Sequence, residues 1–484
     1  MENEIREKYQ EVIGLEVHIQ LLTKTKAYSS DVNEYGSLPN TNVSTITLAH
    51  PGTLPKSNRQ VLDYAIKLGL ACNSEITEFN YYDRKNYFYP DLPKGYQLTQ
   101  DKTPICVGGY IPIVTKSGLK KKVKLTRIHM EEDAGKSMHL EGETETKVDL
   151  NRAGVPLLEI VTEPDIRSSE EAYAFVAEVR KLVRYLDICD GNMEEGSMRC
   201  DANVSVMLKD ATQYGTRAEV KNMNSVRNVQ RAIDYEIDRQ IELVEAGEEV
   251  VGETRLFDAA TGTTRSMRNK EALNDYRYFP EPDLQPIIVN EEWIARIKSQ
   301  MPALPNELVE KFVNEYKLSE YDAHVLTDDK AIALYFEELC SQTTHYKAAV
   351  NWVMGAIKSY LNELTLSIED FPLQPSQIVE LIDLVKEGKM SNSNATQKIF
   401  PALLEKPTRT ALSFAEEMNL IQDSDEGEIE KIVDEVLAAF PDKVEEYRAG
   451  KKGLLGMFVG QVMKKTGGKA DPKVTNKLLD KKLS

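Results

Sequence analysis

A chain of 484 residues is longer than one hydrophobic core sustains, so more than one domain is expected. With 41% hydrophobic and 29% charged residues it reads as globular, and no run is long and apolar enough to span a bilayer. The net charge of −18 argues against nonspecific nucleic-acid binding by the whole surface.

The N-terminal Met1-Glu-Asn-Glu-Ile-Arg6 carries no apolar signal core, so a cytoplasmic protein without a membrane partner is expected. A strand is predicted over 12–21. Along Glu11-Val-Ile-Gly-Leu-Glu-Val-His-Ile-Gln20 the side chains of Ile13, Leu15, Val17 and Ile19 point one way, and those of Glu16, His18 and Gln20 the other. An ordinary half-buried strand puts Lys, Thr or Ser on its open face. A carboxylate, an imidazole and an amide there can hold a metal or move a proton.

A strand over 43–49 and a helix over 58–71 follow, the helix with Val61, Leu62, Ala65, Ile66, Leu68 and Leu70 at helical spacing. Asp83-Arg-Lys-Asn-Tyr-Phe-Tyr-Pro-Asp-Leu-Pro-Lys-Gly-Tyr-Gln97 then joins cations, Lys85 among them, to aromatics and a rigid turn. Such a segment can stack a nucleobase or an RNA end, or pack as a buried cluster with a charged rim. Strands are predicted over 110–115 and 122–131. In the second of these, Arg127, His129, Glu131 and Asp133 share the face opposite to Ile128 and Met130. Gly135-Lys136-Ser137 has no glycine-rich lead and is not a phosphate-binding P-loop.

A strand over 157–162, a helix over 169–186 and strands over 199–206 and 216–221 come next. The two strands again divide, with Arg199, Asp201, Asn203 and Ser205, then Arg217, Glu219 and Lys221, on their polar faces. A helix over 225–246, a strand over 253–257 and a cationic segment holding Arg265, Arg268, Lys270 and Arg277 complete this part, which Pro280, Pro282 and Pro286 close. From Glu291 helical periods succeed one another over 291–300, 305–316, 319–325, 328–341, 344–366 and 374–387, and a last helical piece covers 408–484. Near its end Asp471 and Pro472 have the N-cap and first-turn chemistry of a final helix. From Gln461 to Ser484 seven lysines stand against Asp471 and Asp480, a basic arm on an acidic body. The five cysteines (Cys72, Cys106, Cys189, Cys200, Cys340) form no CxxC and suggest neither a disulfide framework nor a thiolate zinc site.

Strands and helices do not alternate regularly, which makes the class α+β. Four strands with acid and base on one face point to a shared basin holding Glu16, His18, Glu131, Asp201 and Glu219. Clustered carboxylates repel one another unless cations lie between them. Their hard oxygens favour Mg²⁺, and one imidazole also admits Mn²⁺. The interleaved arginines and lysines suit a polyphosphate, and together these groups are equipment for phosphoryl transfer.

Five strings carry a family resemblance: Ile13-Gly-Leu-Glu-Val-His18, the 83–97 segment, His129-Met-Glu-Glu-Asp-Ala-Gly-Lys136, Asn151-Arg-Ala-Gly-Val-Pro-Leu-Leu-Glu-Ile-Val161 and Arg217-Ala-Glu-Val-Lys-Asn222. Through them the chain resembles, nearly end to end, the B subunits of aspartyl/glutamyl-tRNA(Asn/Gln) amidotransferases, the GatB/GatE family. The resemblance implies a mainly antiparallel, glutamine-synthetase/guanido-kinase-like sheet domain over 1–292, a helical domain over 293–407 and a tRNA-contacting tail domain over 408–484. It implies a ligase that phosphorylates the side-chain carboxylate of Glu-tRNA(Gln) or Asp-tRNA(Asn) with ATP and Mg²⁺, then amidates it. Ammonia would come from an amidase, the A subunit of a heterotrimer, with the small C subunit bracing the two, since this chain shows no glutaminase arrangement of its own. The family's metal positions map onto Glu16, His18, one or both of Glu131 and Glu132, Asp201 and Glu219; strand alternation favours Glu131 over Glu132. Lys85 joins Glu16, His18 and Glu131 as an expected catalytic residue, and Arg199, Lys221 and Arg268 are expected at the nucleotide. Some members carry a cysteine-ligated zinc where this chain reads Lys26-Ala-Tyr-Ser-Ser-Asp31, so no zinc is expected.

Overall fold

The computed structural model describes residues 3–139, 142, 144–269, 275–421, 426–466 and 470–483. Its contacts divide the chain into two units, Met1–Pro305 and Asn306–Ser484.

The first unit is built on a ten-stranded sheet. In chain order its strands are β1 (Tyr9–Gln20), β2 (Glu75–Ile76), β3 (Cys106–Val107), β4 (Tyr110–Val114), β5 (Lys120–Glu132), β6 (Pro156–Thr162), β7 (Met198–Leu208), β8 (Ala218–Met223), β9 (Glu253–Asp258) and β10 (Thr263–Asn269). Their spatial order is β10-β9-β8-β7-β1-β6-β5-β3-β2, with β4 also paired to β5. Every ladder is antiparallel except β8/β9. The sheet is therefore α+β in class and mainly antiparallel.

Alternation decides which face is buried. Ile13, Leu15, Val17 and Ile19 of β1 are each at most 1% exposed, and Cys200, Ala202, Val204, Ala218 and Val220 lie on the same apolar side. Three helices cover that side: α1 (Arg59–Ala71), α2 (Ser169–Tyr185) and α3 (Val226–Glu245). Each starts at a side-chain cap. Asn58 accepts from the Gln60 backbone N–H, Ser168 from Glu171 and Ser225 from Asn228, a bond that makes up for one missing intrahelical partner. Phe175, Val176, Val179 and Val183 on α2, and Val229, Ala232, Ile233 and Ile237 on α3, are buried at helical spacing.

The 43–49 segment is not a strand. Its alternation loses to local polar bonds: the Asp31 carboxylate accepts from Ser44 N and Ser44 Oγ, each 2.9 Å, and from Thr47 Oγ1, and the backbone folds into turns. A three-stranded sheet of Asp83–Asn86, Tyr96–Thr99 and Phe279–Pro280 lies where Pro90, Pro93 and Gly95 hide any strand period.

The domain boundary also differs from the expected 292/293. Helix α4 (Glu291–Ser299) belongs to the first unit. Its Trp293 Nε1 donates to Asp63 Oδ1 of α1 at 2.6 Å, Arg296 reaches the same oxygen at 2.7 Å, and Ile297 is buried. The change of texture at Glu291 marks the end of strands, whereas the contacts divide after Pro305.

Within the described residues, 306–484 is helical. The long period over 344–366 is two α-helices, Tyr346–Trp352 and Lys358–Leu364, joined by a π-helical turn over Val353–Ile357. The 408–484 piece is not separated from the preceding helices as a unit, although it has an apolar cluster of its own around Val433, Phe458, Val462 and Leu479. Its last helix, Pro472–Leu483, begins where the Asp471–Pro472 signal places it. Gly467 and Gly468 lie outside the described residues. Among the described residues, no helix is long and apolar enough to cross a membrane.

Glu236 of α3 ties this helix to the sheet edge. The side chain is fully buried and accepts from Arg239 Nη2 (2.5 Å), Gln240 Nε2 (2.9 Å) and Thr264 Oγ1 (3.2 Å), with Arg255 Nε at 3.4 Å. Removing it takes the paired carboxylate from Arg239 and one of two from Arg255, which keeps Glu253. Glu236→Ala is expected to cost roughly 3–5 kcal/mol in urea unfolding; a loss below about 1 kcal/mol would mean that the network carries no net stability.

Candidate active site

The sheet's register assembles the site. His18 on β1 is opposite Arg199 on β7 and Glu159 on β6, and Glu159 is opposite His129 on β5. Four side chains thus form one row across the polar face, at the inter-strand spacing of about 4.8 Å. Two residues along β1, Glu16 is opposite Asp201, and Asn203 on β7 is opposite Glu219 on β8.

Two groups with metal-ligating geometry result: His18, Glu131 and Glu159, and beside them Glu16, Asp201 and Glu219. Within each group the ligand atoms lie within 4.8 Å of one another. In the first, Glu159 Oε2 is 3.3 Å from His18 Nε2 and 3.2 Å from His129 Nε2. Glu131 Oε1 accepts from Thr99 Oγ1 at 2.7 Å and faces His129 Nε2 at 3.3 Å, and its other oxygen accepts from Gln97 Nε2 at 3.2 Å. In the second, Asn203 Nδ2 donates to Glu16 Oε1 (2.9 Å) and Thr254 Oγ1 to Glu219 Oε2 (2.8 Å). The Lys221 ammonium sits between Asp201 (2.5 Å) and Glu219 (3.0 Å).

The charges respond to this crowding. Burial first, then the carboxylates of Glu159, Asp201 and Glu219, raise the Glu16 pKa. Burial disfavours the imidazolium forms of His18 and His129, but Glu159 and Glu131 outweigh it. Both histidines are raised, His129 to about 9. Against the same burial, the two imidazoles hold Glu159 well below the usual carboxylate range. Lys85 is raised, burial notwithstanding, by Glu131 and Glu159.

Glu16, His18, Glu131, Asp201 and Glu219 therefore come together, as two adjacent groups instead of one basin. Lys85 faces the first group and Lys221 the second. Arg199 stands in the row, but its guanidinium donates to Asp133 Oδ2 at 2.8 Å. Glu132 joins neither group. At the end of its strand it turns to the Leu98 backbone N–H (2.9 Å) and to Lys94. Arg268 pairs with Thr254 by backbone on the edge strand, and its side chain lies outside those described. Glu159 is not among the residues expected from the sequence. Its one signal is a single charge inside Leu157-Leu-Glu-Ile-Val161. His129 lies on a predicted polar face without being among the expected site residues.

The donor sets suit divalent cations. One offers only carboxylate oxygens, the other two carboxylates and an imidazole. A cavity of about 220 Å³ adjoins Glu16, with Gly14, Asn203, Tyr214 and Arg217 in its wall. A second, of about 200 Å³, is lined by Lys26, Tyr28, Lys94, Tyr96 and Glu132. There Lys26, 1% exposed, donates to the Asn42 carbonyl at 2.7 Å. Neither donor set among the described residues contains a cysteine, and all five cysteines are buried.

Known proteins are similar to this chain over nearly its full length. Residues 11–295 match the family described as the GatB/GatE catalytic domain, and residues 334–483 match the GatB domain. A protein of Thermosynechococcus vestitus, named as the B subunit of aspartyl/glutamyl-tRNA(Asn/Gln) amidotransferase, is 50% identical over 98% of this chain and 97% of its own length. Proteins of the same name from Trichlorobacter lovleyi (50%, 99% of this chain, 100% of its own length) and Thermodesulfovibrio yellowstonii (48%, 98% and 99%) are similar to the same extent.

Glu159 is the shared partner of both imidazoles, which makes its removal informative. A histidine raised from 6.5 to about 9 on folding contributes stability that is complete below pH 6.5 and disappears as pH rises through 9. In metal-free protein, the fall in urea midpoint between pH 6 and pH 9.5 is expected to be smaller in Glu159→Gln than in wild type. An equal fall in both would show that Glu159 does not hold the imidazolium.

Proposed function

Because this chain belongs to the GatB/GatE family of amidotransferase B subunits, we propose that it activates and amidates the side-chain carboxylate of Glu-tRNA(Gln), Asp-tRNA(Asn) or both. The observation that carries this reading is the pair of adjacent acid groups on one polar sheet face, edged by Lys85 and Lys221.

In the first step a carboxylate oxygen of the esterified amino acid attacks the γ-phosphorus of ATP. An acyl phosphate forms and ADP leaves. In the second, ammonia attacks the acyl carbon; phosphate leaves with its bonding pair, one ammonia proton is released, and the amide remains. A carboxylate is a poor electrophile, and phosphorylation supplies the leaving group it lacks. Mg²⁺ is the ion we assign to Glu16, Asp201 and Glu219, and Mg²⁺ or Mn²⁺ to His18, Glu131 and Glu159, where it would spread the charge of the transferring group. Lys85, kept charged by Glu131 and Glu159, presents an ammonium to the incoming phosphoryl oxygens. Thr99 and Gln97 fix both oxygens of Glu131, so that this carboxylate keeps its orientation through the reaction. The cavity beside Glu16, with the Tyr214 ring and the Arg217 guanidinium at its wall, has the chemistry to hold the nucleotide's base and phosphates. The sheet is then a glutamine-synthetase/guanido-kinase-like platform. Ammonia reaches it from the amidase, the A subunit, with the small C subunit in the same cytoplasmic heterotrimer, and no zinc is involved.

The complex reconstituted with its partners tests this reading, with ammonium as nitrogen donor and misacylated tRNA as substrate. Glu16→Gln and His18→Ala are expected to lower amide formation by a factor of about 100 or more while assembly of the heterotrimer and tRNA binding persist. Normal amidation in both variants would reduce this chain to a scaffold or RNA-binding role.

We assign the tail to tRNA phosphates. Part of its basic character is used internally: Lys465 pairs with Glu435, and Lys482 with Glu430 and Asp434. Lys464, Lys473 and Lys481 remain exposed. Changing these three to Gln is expected to weaken tRNA binding and to reduce the salt slope by about one for each phosphate that is no longer neutralised. An unchanged slope would remove the tail from the tRNA interface.

A further inference from the structure

A row of tyrosines passes beside Glu131 with solvent at both ends, and neither acid group accounts for it. Two distant segments build it. Phe279 and Pro280 pair with Arg84 and Asp83 as strands. Asn86 then clamps the preceding loop: its backbone N–H donates to the Tyr276 carbonyl at 2.9 Å, and its side-chain amide to the carbonyls of Tyr276 (3.0 Å) and Arg277 (2.8 Å). Arg277 takes a left-handed φ of 46° there.

The clamp sets four rings edge to face. Tyr89–Tyr87, Tyr87–Tyr276 and Tyr276–Tyr278 have centroids 6.4, 6.1 and 6.0 Å apart, with planes at 67–70°. Within the row the Tyr87 hydroxyl donates to Gln97 Oε1 (3.3 Å), and Gln97 Nε2 donates to Glu131. The Lys85 ammonium lies 5.1 Å from the Tyr276 ring centre. One amide and one ammonium thus separate the row from the reacting centre.

Both ends of the row are open. Tyr89 is 60% and Tyr278 40% exposed, and their chain neighbours Phe88 and Phe279 are 89% and 43% exposed. Phe88 rests on Gly95, where a Cβ would come within 2.8 Å of its ring, and its other side faces solvent. Aromatics grouped in water and fixed by a backbone clamp are not explained by core packing. Rings interleaved with Lys85 and Arg277 match a ligand that has π-faces and negative charge together.

We propose that Phe88, Tyr89 and Tyr278 form the stacking surface for the unpaired nucleotides that end the RNA substrate. The proposal rests on the function given above and names the residues that place its acceptor. Stacking accepts any base, because every base has a π-face. An amino acid esterified to the last ribose is thereby brought to Lys85 and Glu131, which lie beside the row's two middle rings. These are positioning residues: they touch the RNA end and not the transferred phosphoryl.

The test uses the assembled complex and tRNA carrying 2-aminopurine in place of its terminal adenine. Phe88→Ala and Tyr278→Ala change exposed side chains, and Tyr278→Phe keeps the ring. Wild type and Tyr278→Phe are expected to quench the probe on binding, and the two alanine variants to lose at least half of that quench. In amidation with ammonium, the alanine variants are expected to raise KM for misacylated tRNA at least fivefold, with kcat within twofold and Tyr278→Phe like wild type. Unchanged quench and KM in both alanine variants overturn the proposal. So does loss of a partner protein from the Phe88→Ala complex on gel filtration, which would make this patch a protein interface. A wild-type complex that quenches the probe yet makes no amide supports the stacking surface and counts against the function proposed above.

Discussion

The constraint on which the first unit depends is the repulsion among carboxylates gathered on one sheet face. Glu16, Glu131, Glu159, Asp201 and Glu219 stand on five neighbouring or nearby strand positions, all at least half-buried, where like charges are poorly screened. What lets them coexist is a second set of groups between them. Two imidazoles share Glu159, and one ammonium spans Asp201 and Glu219. Neither set is stable there alone. Removing the cations would protonate or splay the acids, and removing the acids would leave His129, 2% exposed, as an uncompensated buried base.

This balance is only as good as the register. Strand side chains alternate, so a slip of one residue in β1 would carry Glu16 and His18 into the core and Leu15 and Val17 into the site. Two things oppose the slip. The apolar face is closed by α1, α2 and α3, whose buried residues match Ile13 to Ile19. On the polar face, Asn203, Thr99 and Gln97 bond particular carboxylate oxygens and would lose those partners after any shift. The same pairings that bury the core therefore also align the chemistry. The site needs few loops to define it, because a rigid ladder does so.

How much of this could be read in the chain follows from how each feature is encoded. Alternation over β1, β5, β7 and β8 is a local signal, and those strands lie within two or three residues of where the period puts them. Glu159 has no such signal. Its strand is buried on both sides of the residue, and its meaning lies in cross-strand neighbours that are separated from it by 30 residues or more. The strand expected over 43–49 fails for the opposite reason: a local period is present, but the Asp31 carboxylate, reached only after folding, bends the segment into turns. The contacts divide after Pro305, beyond the change of texture at Glu291, because texture reports secondary structure, whereas Trp293 and Ile297 report what the helix packs against. The tyrosine row joins 83–89 to 275–280 and is visible in the sequence only as two unconnected aromatic segments.

The two acid groups are compensated by different chemistry, and this separates their behaviour near neutral pH. In the second group the counter-charge is Lys221, whose pKa the carboxylates of Asp201 and Glu219 lift further above neutrality despite burial. It stays charged at any pH a cell experiences. In the first group the counter-charge is imidazolium, raised by Glu159 and Glu131 but still titratable, His129 at about 9. A cation entering the first group would compete with protons on His18 itself. A cation entering the second would compete with a lysine side chain, which can swing aside on its four-carbon stem and keep its charge. The adjacent groups are thus not duplicates of one site. One balances its acids with titratable imidazolium, the other with an ammonium that can move without losing its charge.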